Sequence, residues 1–299
     1  MRMTPVDWAM LIFLSLIWGG SFFFNAIILR EIPTITLVAV RVSVAAVALW
    51  IFVLATGRSV VLGWRVWASF TVMGAINNAI PFCLIVNAQV TISSGLASIL
   101  NATTPLFTIL VAGVFLSDER FSGMRLLGVA LGLLGVIAMI GTDALAGLHE
   151  NIWGQMSSLG AALSYGFATV FGRRFRRMGV DPILVAMGQV TMSSIFLWPI
   201  AIWVDQPFDM AFPSWPVIWS ILGLSILCTA FAYIFYFKIL DRAGATNISL
   251  VTFLVPVSAI LLGILFLGET LHLSHILGML LIGLGLMVID GRMFSRRGD

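Results

Sequence analysis

"SILNATTPLF", residues 98–107, lies inside a stretch that runs from Val66 to Ser117 without a charged side chain. Hydrocarbon offers no water to exposed polar groups, and each unsatisfied one costs several kcal/mol there. Asn101, Thr103, Thr104 and the helix-breaking Pro105 therefore need either partners within the protein or a water-lined space.

The surroundings of this segment are those of a membrane protein. The chain has 299 residues, 60% hydrophobic and 10% charged, with a mean hydropathy of +1.08. A soluble domain of this size has no interior large enough for so much apolar surface. About 20 apolar residues cross a bilayer as a helix, and ten such runs are present: 6–29, 34–56, 66–90, 94–116, 124–141, 152–172, 182–204, 216–238, 245–268 and 272–290. The expected fold is an all-α polytopic membrane protein of ten transmembrane helices. The first run, Val6 to Leu29, exceeds the apolar core of a signal peptide and is read as span one. Cys83 and Cys228 fall in different spans and read as small buried apolar residues.

Basic residues orient the spans. With a cytoplasmic N-terminus, all of the 16 Lys and Arg lie on the inner side except Arg30, in the first outer loop, and Arg41, within span two. Asp143, Glu150, Asp205, Asp209 and Glu269 fall outside. Both termini are thus expected in the cytoplasm and the protein in a cell inner membrane, multi-pass. The Arg173–Arg177 run reads as an anchor for anionic lipid, with the bilayer as its partner and no nucleic acid.

Residues 94–139 laid over 245–289 pair "SILNATTPLF" with "SLVTFLVPVS". With one residue of slack, Ser98 meets Ser249, Pro105 meets Pro256, Glu119 meets Glu269, Gly128 meets Gly278 and Gly135 meets Gly285. A weaker match sets Trp18-Gly19 against Tyr165-Gly166. Two units follow, residues 1–142 and 143–299, each of five spans. Five is odd, so the two insert in opposite senses, the inverted repeat of alternating-access transporters.

On span four, Ser94, Ser98, Asn101, Pro105 and Thr108 recur every three or four residues and share one face; span nine repeats the device with Ser249, Thr252 and Pro256. Each proline denies a donor to the carbonyl four residues back, those of Asn101 and Thr252. Helix packing explains small and hydroxyl residues equally well; the pairing of two such midspan turns favours a solute site. Other spans add Trp18 and Asn25, Asn77, Asn78 and Pro81, Tyr165, Gln189, and Tyr233. The expected site is uncharged and aromatic, with amide and hydroxyl donors for a small amphipathic solute. Pro81, Pro105 and Pro256 are the expected kinks. The glycine stripes of spans five and ten predict close backbone packing, as scaffold or as a homodimer contact.

The Trp18-Gly19 element, Arg41, and the endings "P…LSDERF…LLG" and "P…LGETL…ILG" resemble the drug/metabolite transporter superfamily, in particular its EamA-type members, and among them the YddG-type amino-acid exporters. The resemblance covers nearly the whole chain. It implies a solute cavity lined by spans one to four and six to nine, with five and ten peripheral. The first half carries "SDER" where the resemblance leads one to expect a Gly-Glu pair.

Arg41, about 10 Å inside span two at 1.5 Å per residue, is either a contact for a substrate carboxylate or a side chain that snorkels to the interface or bonds backbone carbonyls. Mid-membrane Asp and Glu are absent from the sequence pattern, which argues against a buried proton relay. Catalytic signatures are missing as well, so no enzyme activity, metal or cofactor is expected. "HLSH", His272 to His275, reads as interfacial, and "NAT", Asn101 to Thr103, matches a glycosylation acceptor by spelling only. The functional expectation is a secondary transporter exporting a small amphipathic metabolite, most readily amino acids. A different solute or the opposite direction, a channel, and a lipid flippase are the alternatives.

Overall fold

The computed structural model describes residues 4–116, 123–140, 151–243, 248 and 251–290. Among them every regular element is helical. Helix α1 (Pro5–Ile28) begins at a capping box: Asp7 N–H donates to Thr4 Oγ1 at 3.3 Å and Thr4 N–H to Asp7 Oδ2 at 3.0 Å. α2 (Thr34–Ala55) is followed by α3 (Trp64–Gly74), which passes through a π-helical stretch, Ala75–Ala79, into α4 (Ile80–Ala88). Then come α5 (Ser94–Asn101), α6 (Thr104–Phe115), α7 (Gly123–Ile140), α8 (Asn151–Arg177) and α9 (Pro182–Val204). α10 (Trp215–Leu222) runs through a second π stretch, Gly223–Phe231, into α11 (Ala232–Ala243), and α12 (Val251–Leu267) and α13 (Leu273–Asp290) complete the described chain.

Among the described residues, six helical rods are long and apolar enough to cross a membrane: Pro5–Ile28, Thr34–Ala55, Trp64–Ala88, Ser94–Phe115, Pro182–Val204 and Trp215–Leu240. Three shorter apolar helices, within α7, α12 and α13, accompany them. Leu54, Ile51, Ile195, Leu265 and Leu280 are exposed on the outside of the bundle, as lipid-facing residues should be. Trp64, Trp153, Trp203, Trp215 and Trp219 are exposed near helix ends, where amphipathic rings favour the water boundary. The repeat boundary at 142/143, the Glu119 loop, Asp143, Glu150, Arg2, Arg292, Arg296, Arg297 and Ser249 lie outside the described residues.

Two helix pairs fix the frame. α2 and α9 pack along their length and are joined at both ends and in the middle. Asp205 accepts from Thr36 N–H (2.7 Å) and Thr36 Oγ1 (2.9 Å), Arg58 meets Asp181 at 3.4 Å, and between them Trp50 Nε1 donates to Thr191 Oγ1 and Trp198 Nε1 to Ser43 Oγ. α7 and α13 form the second pair. A Cβ on Gly135 would lie 2.7 Å from Gly278 O, and one on Gly285 2.5 Å from Gly128 O, so the two stripes are turned on each other within one chain. Any contact between subunits through these helices is left to their exposed faces, which carry Leu126, Leu134, Leu277 and Leu284.

The first and sixth spans share a second packing device. A Cβ on Gly19 would collide with Ser258 Oγ and the Ala259 backbone; one on Gly166 would press on the backbone of Phe107 and Thr108 at 3.0–3.2 Å. Both glycines let a neighbouring helix approach at backbone distance, and both follow an aromatic residue, Trp18 and Tyr165.

Candidate functional site

Breaks in the helices position the site. At Pro105 the fourth span, Ser94–Phe115, is interrupted into two helices, α5 and α6, with Ala102 and Thr103 between them. The Asn101 carbonyl that Pro105 leaves without a donor is not open to a cavity: Thr104 Oγ1 donates to it at 2.7 Å, and Thr103 Oγ1 donates to Leu100 O at 2.6 Å. The expected partner device differs, because Pro256 sits inside the continuous helix α12.

The third and eighth spans are where the backbone departs from α geometry near midspan. Pro81 removes the N–H that would serve Asn77 O, and the chain widens to π pitch over Ala75–Ala79, with Ile80 N–H donating to Ala75 O. Hydroxyls of other helices reach carbonyls in and beside this stretch: Ser164 Oγ donates to Ile76 O (2.7 Å), and Ser193 Oγ shares its proton between Gln189 O of its own helix (2.7 Å) and Gly74 O (2.9 Å). In the second π stretch, Thr229 Oγ1 donates to Leu224 O, five residues back, at 2.8 Å.

These two stretches face a chain of polar side chains. Asn77 Nδ2 donates to Gln189 Oε1 at 2.9 Å and lies 3.4 Å from Tyr233 OH, which donates to Asn78 Oδ1 at 2.8 Å. Arg41 joins them from α2: its Nε donates to Thr229 Oγ1 at 3.0 Å, and its guanidinium carbon lies 3.7 Å from the Phe82 ring centroid. Tyr165 and Tyr233 are within electrostatic range of that guanidinium. Both tyrosines are half-buried. The Asn78 Nδ2 donor and the Asn101 Oδ1 acceptor are buried without a partner.

The structure thus brings together Arg41, Asn77, Asn78, Tyr165, Gln189 and Tyr233. It does not bring every expected residue to them. Asn25 Nδ2 donates to Gln89 Oε1 (3.0 Å), and Gln89 Nε2 donates to Phe22 O and Ser94 Oγ, a separate cluster where α1 meets the loop before α5, in which Asn25 Oδ1 meets no partner among the described residues. Ser98 Oγ donates to Gly95 O of its own helix. Trp18 packs on Tyr236, ring centroids 5.6 Å apart. Thr252 is half-buried and makes its own contacts. Arg41 is 6% exposed, and among the described residues it bonds the Thr229 hydroxyl and no backbone carbonyl. The sequence reading missed Phe82, whose only signal is its place after Pro81, and the carbonyl-holding Ser164 and Ser193, which carry none.

Carboxylates sit at helix ends. Glu269 accepts from Ser94 N–H (2.7 Å) and Gly95 N–H (3.1 Å), capping α5 from the loop after α12. Gly268, at φ +69°, ends α12 in a left-handed turn that aims Glu269 back across that helix. Glu31 accepts from Ser214 N–H (2.7 Å) and Ser214 Oγ. Those two bonds, the side-chain one first, hold the Glu31 carboxyl below its ordinary pKa of 4.5.

The EamA-like transporter family matches residues 7–141 and again 152–290. The chain is 25% identical over 288 residues to an uncharacterized transporter, YoaV, of Bacillus subtilis (strain 168), covering 96% of this chain and 97% of that one. It is 26% identical over 294 residues to a probable amino-acid metabolite efflux pump of Escherichia coli (strain K12), covering 96% and 95%. A solved crystal structure superposes with a TM-score of 0.68 at 18% identity, over 96% of this chain and 98% of that one, a likeness of fold.

Proposed function

The chain belongs to the EamA-like transporter family, and we propose that it exports a small amphipathic metabolite, amino acids first among the classes, by alternating access around the polar cluster. The observation that carries this reading is the convergence of Arg41, Asn77, Asn78, Tyr165, Gln189 and Tyr233 from five different spans at the two π-helical stretches. Polar side chains gathered inside an otherwise apolar bundle are costly to place there, and in bilayer-spanning proteins they mark solute paths. The efflux-pump names of relatives at 26% identity support export and the amino-acid class.

The finer architecture is part of the same proposal: two inverted five-span units, 1–142 and 143–299, both termini cytoplasmic, in a cell inner membrane. Support comes from the two family matches, from the shared contacts of Gly19 and Gly166, and from π stretches in the third and eighth spans. A relative named as an inner membrane transporter fits that location. Within the proposal Trp18, Asn101 and Thr252 border the solute path, while Asn25, Ser98 and Ser249 play supporting parts.

Counterflow in proteoliposomes tests the function. Purified protein preloaded with unlabelled solute should take up labelled amino acid saturably and with trans-stimulation. A channel would show neither. Asn77→Ala should lower uptake at least about tenfold, the size of one lost buried hydrogen-bond pair of about 1.4 kcal/mol; unchanged kinetics in a folded Asn77→Ala, Asn101→Ala and Thr252→Ala set would refute the site.

A further inference from the structure

Arg41 carries a charge that its surroundings do not neutralise. Among the described residues its one hydrogen-bond partner is Thr229 and no carboxylate reaches it. Asp205, Asp181, Glu31 and Glu269 are each engaged at helix ends. A lone buried cation is expensive in a bilayer-spanning bundle, and the face of Phe82 offsets only part of that cost.

The guanidinium is also held in one orientation. Thr229 uses both capacities of its hydroxyl, donating to Leu224 O and accepting from Arg41 Nε, so neither partner turns freely. Phe82 covers one face of the group. What is left is the edge bearing the two terminal nitrogens. Neither is bonded to a described residue, and both keep some accessible surface. Two parallel N–H donors on a fixed planar edge match one carboxylate.

We propose that this edge is a carboxylate seat and that Arg41 makes a carboxylate obligatory in the transported solute. The inference rests on the transport reading above and narrows it. The neighbouring groups are neutral, Tyr165, Tyr233, Asn77 and Gln189. An ammonium group is therefore tolerated and not required. Amino acids and the corresponding 2-oxo acids are both substrates; amino-acid amides, which differ from the acids only in lacking the anion, are not.

Two measurements on the intact protein test this. In detergent, phenylglyoxal modification of Arg41 is followed by peptide mass spectrometry with benzoate or its uncharged isostere benzamide as protectant. Benzoate should slow modification severalfold and benzamide should not. Equal protection by both, protection by neither, or an Arg41 that never reacts overturns the seat. In proteoliposomes, leucine and 4-methyl-2-oxopentanoate should exchange and leucinamide should be slower by at least about tenfold; Arg41→Gln should abolish that difference and Arg41→Lys retain part of it. Equal exchange of leucine and leucinamide refutes the carboxylate requirement and leaves transport standing. If benzoate protects but no solute exchanges, the seat stands and the transport reading falls.

Discussion

Thr104→Val should unmask the defect that Pro105 creates. In the native chain the Asn101 carbonyl, deprived of a donor by the proline, receives the Thr104 hydroxyl at 2.7 Å. Valine keeps the branched shape and removes that hydroxyl. Hydrogen bonds within membrane proteins average about 0.6 kcal/mol and reach about 1.7 kcal/mol, whereas leaving a buried acceptor unpaired costs about 1–3 kcal/mol. With Thr104 and Asn101 both half-buried, the expected loss is about 1–2 kcal/mol. Pro105→Ala returns an N–H four residues beyond Asn101, so in the double variant the carbonyl has a donor again. Unfolding in mixed micelles, arranged as a double-mutant cycle, should give a coupling of about 1 kcal/mol, with Thr104→Val nearly harmless once Pro105 is gone. Additive losses would refute the reasoning, because they would mean that the hydroxyl and the missing N–H do not serve the same carbonyl.

Three further outcomes follow from the packing and the caps. Glu269→Gln leaves one good acceptor for the two amides of Ser94 and Gly95 and should cost about 0.5–2 kcal/mol, read as faster hydrogen exchange in the peptide containing those residues; unchanged exchange would sink the capping role. Gly135→Leu forces a side chain onto Gly278 O and Ile282 and should destabilise by about 1–3 kcal/mol, while Gly123→Ala, whose Cβ meets nothing within 4 Å, should be neutral. Because the folded Glu31 carboxyl titrates below 4.5, its tie to Ser214 is fully present above that pH and is lost as pH falls through the folded value. Wild-type thermal stability should accordingly drop more than that of Glu31→Gln between pH 5 and about pH 3, and parallel curves would contradict the assignment.

Hydropathy made the membrane class and the helical runs readable, because lipid demands about 20 apolar residues per crossing whatever the neighbours are. The glycines of α7 and α13 were readable for a similar reason, since only small residues permit backbone contact. The π stretches were not. The first is met by Ser193 and Ser164, hydroxyls from other spans that no local pattern announces. Asn77, Asn78, Gln189 and Tyr233 stood out as polar residues in apolar surroundings, and the structure joins them. Asn25 and Ser98 stood out equally, but the donors they carry are taken by protein groups, Asn25 Nδ2 by Gln89 and Ser98 Oγ by its own helix. Polarity marks a residue that needs a partner; it does not reveal whether the partner is protein or solute. The fixed orientation of Arg41 was invisible for the same reason, since Thr229 lies 188 positions away.

The carboxylate caps also set a timetable for biosynthesis. α2 starts after Pro33 without a side-chain cap, and the acceptor for its Thr36 N–H is Asp205, made 169 residues later. α5 waits 175 residues for Glu269. At about 5–20 residues per second, the early helices stand for roughly ten to thirty seconds with these amides unmet. A nascent chain halted midway therefore presents open helix ends to whatever acceptor is near, until Asp205 after α9 closes α2 and Glu269 after α12 closes α5.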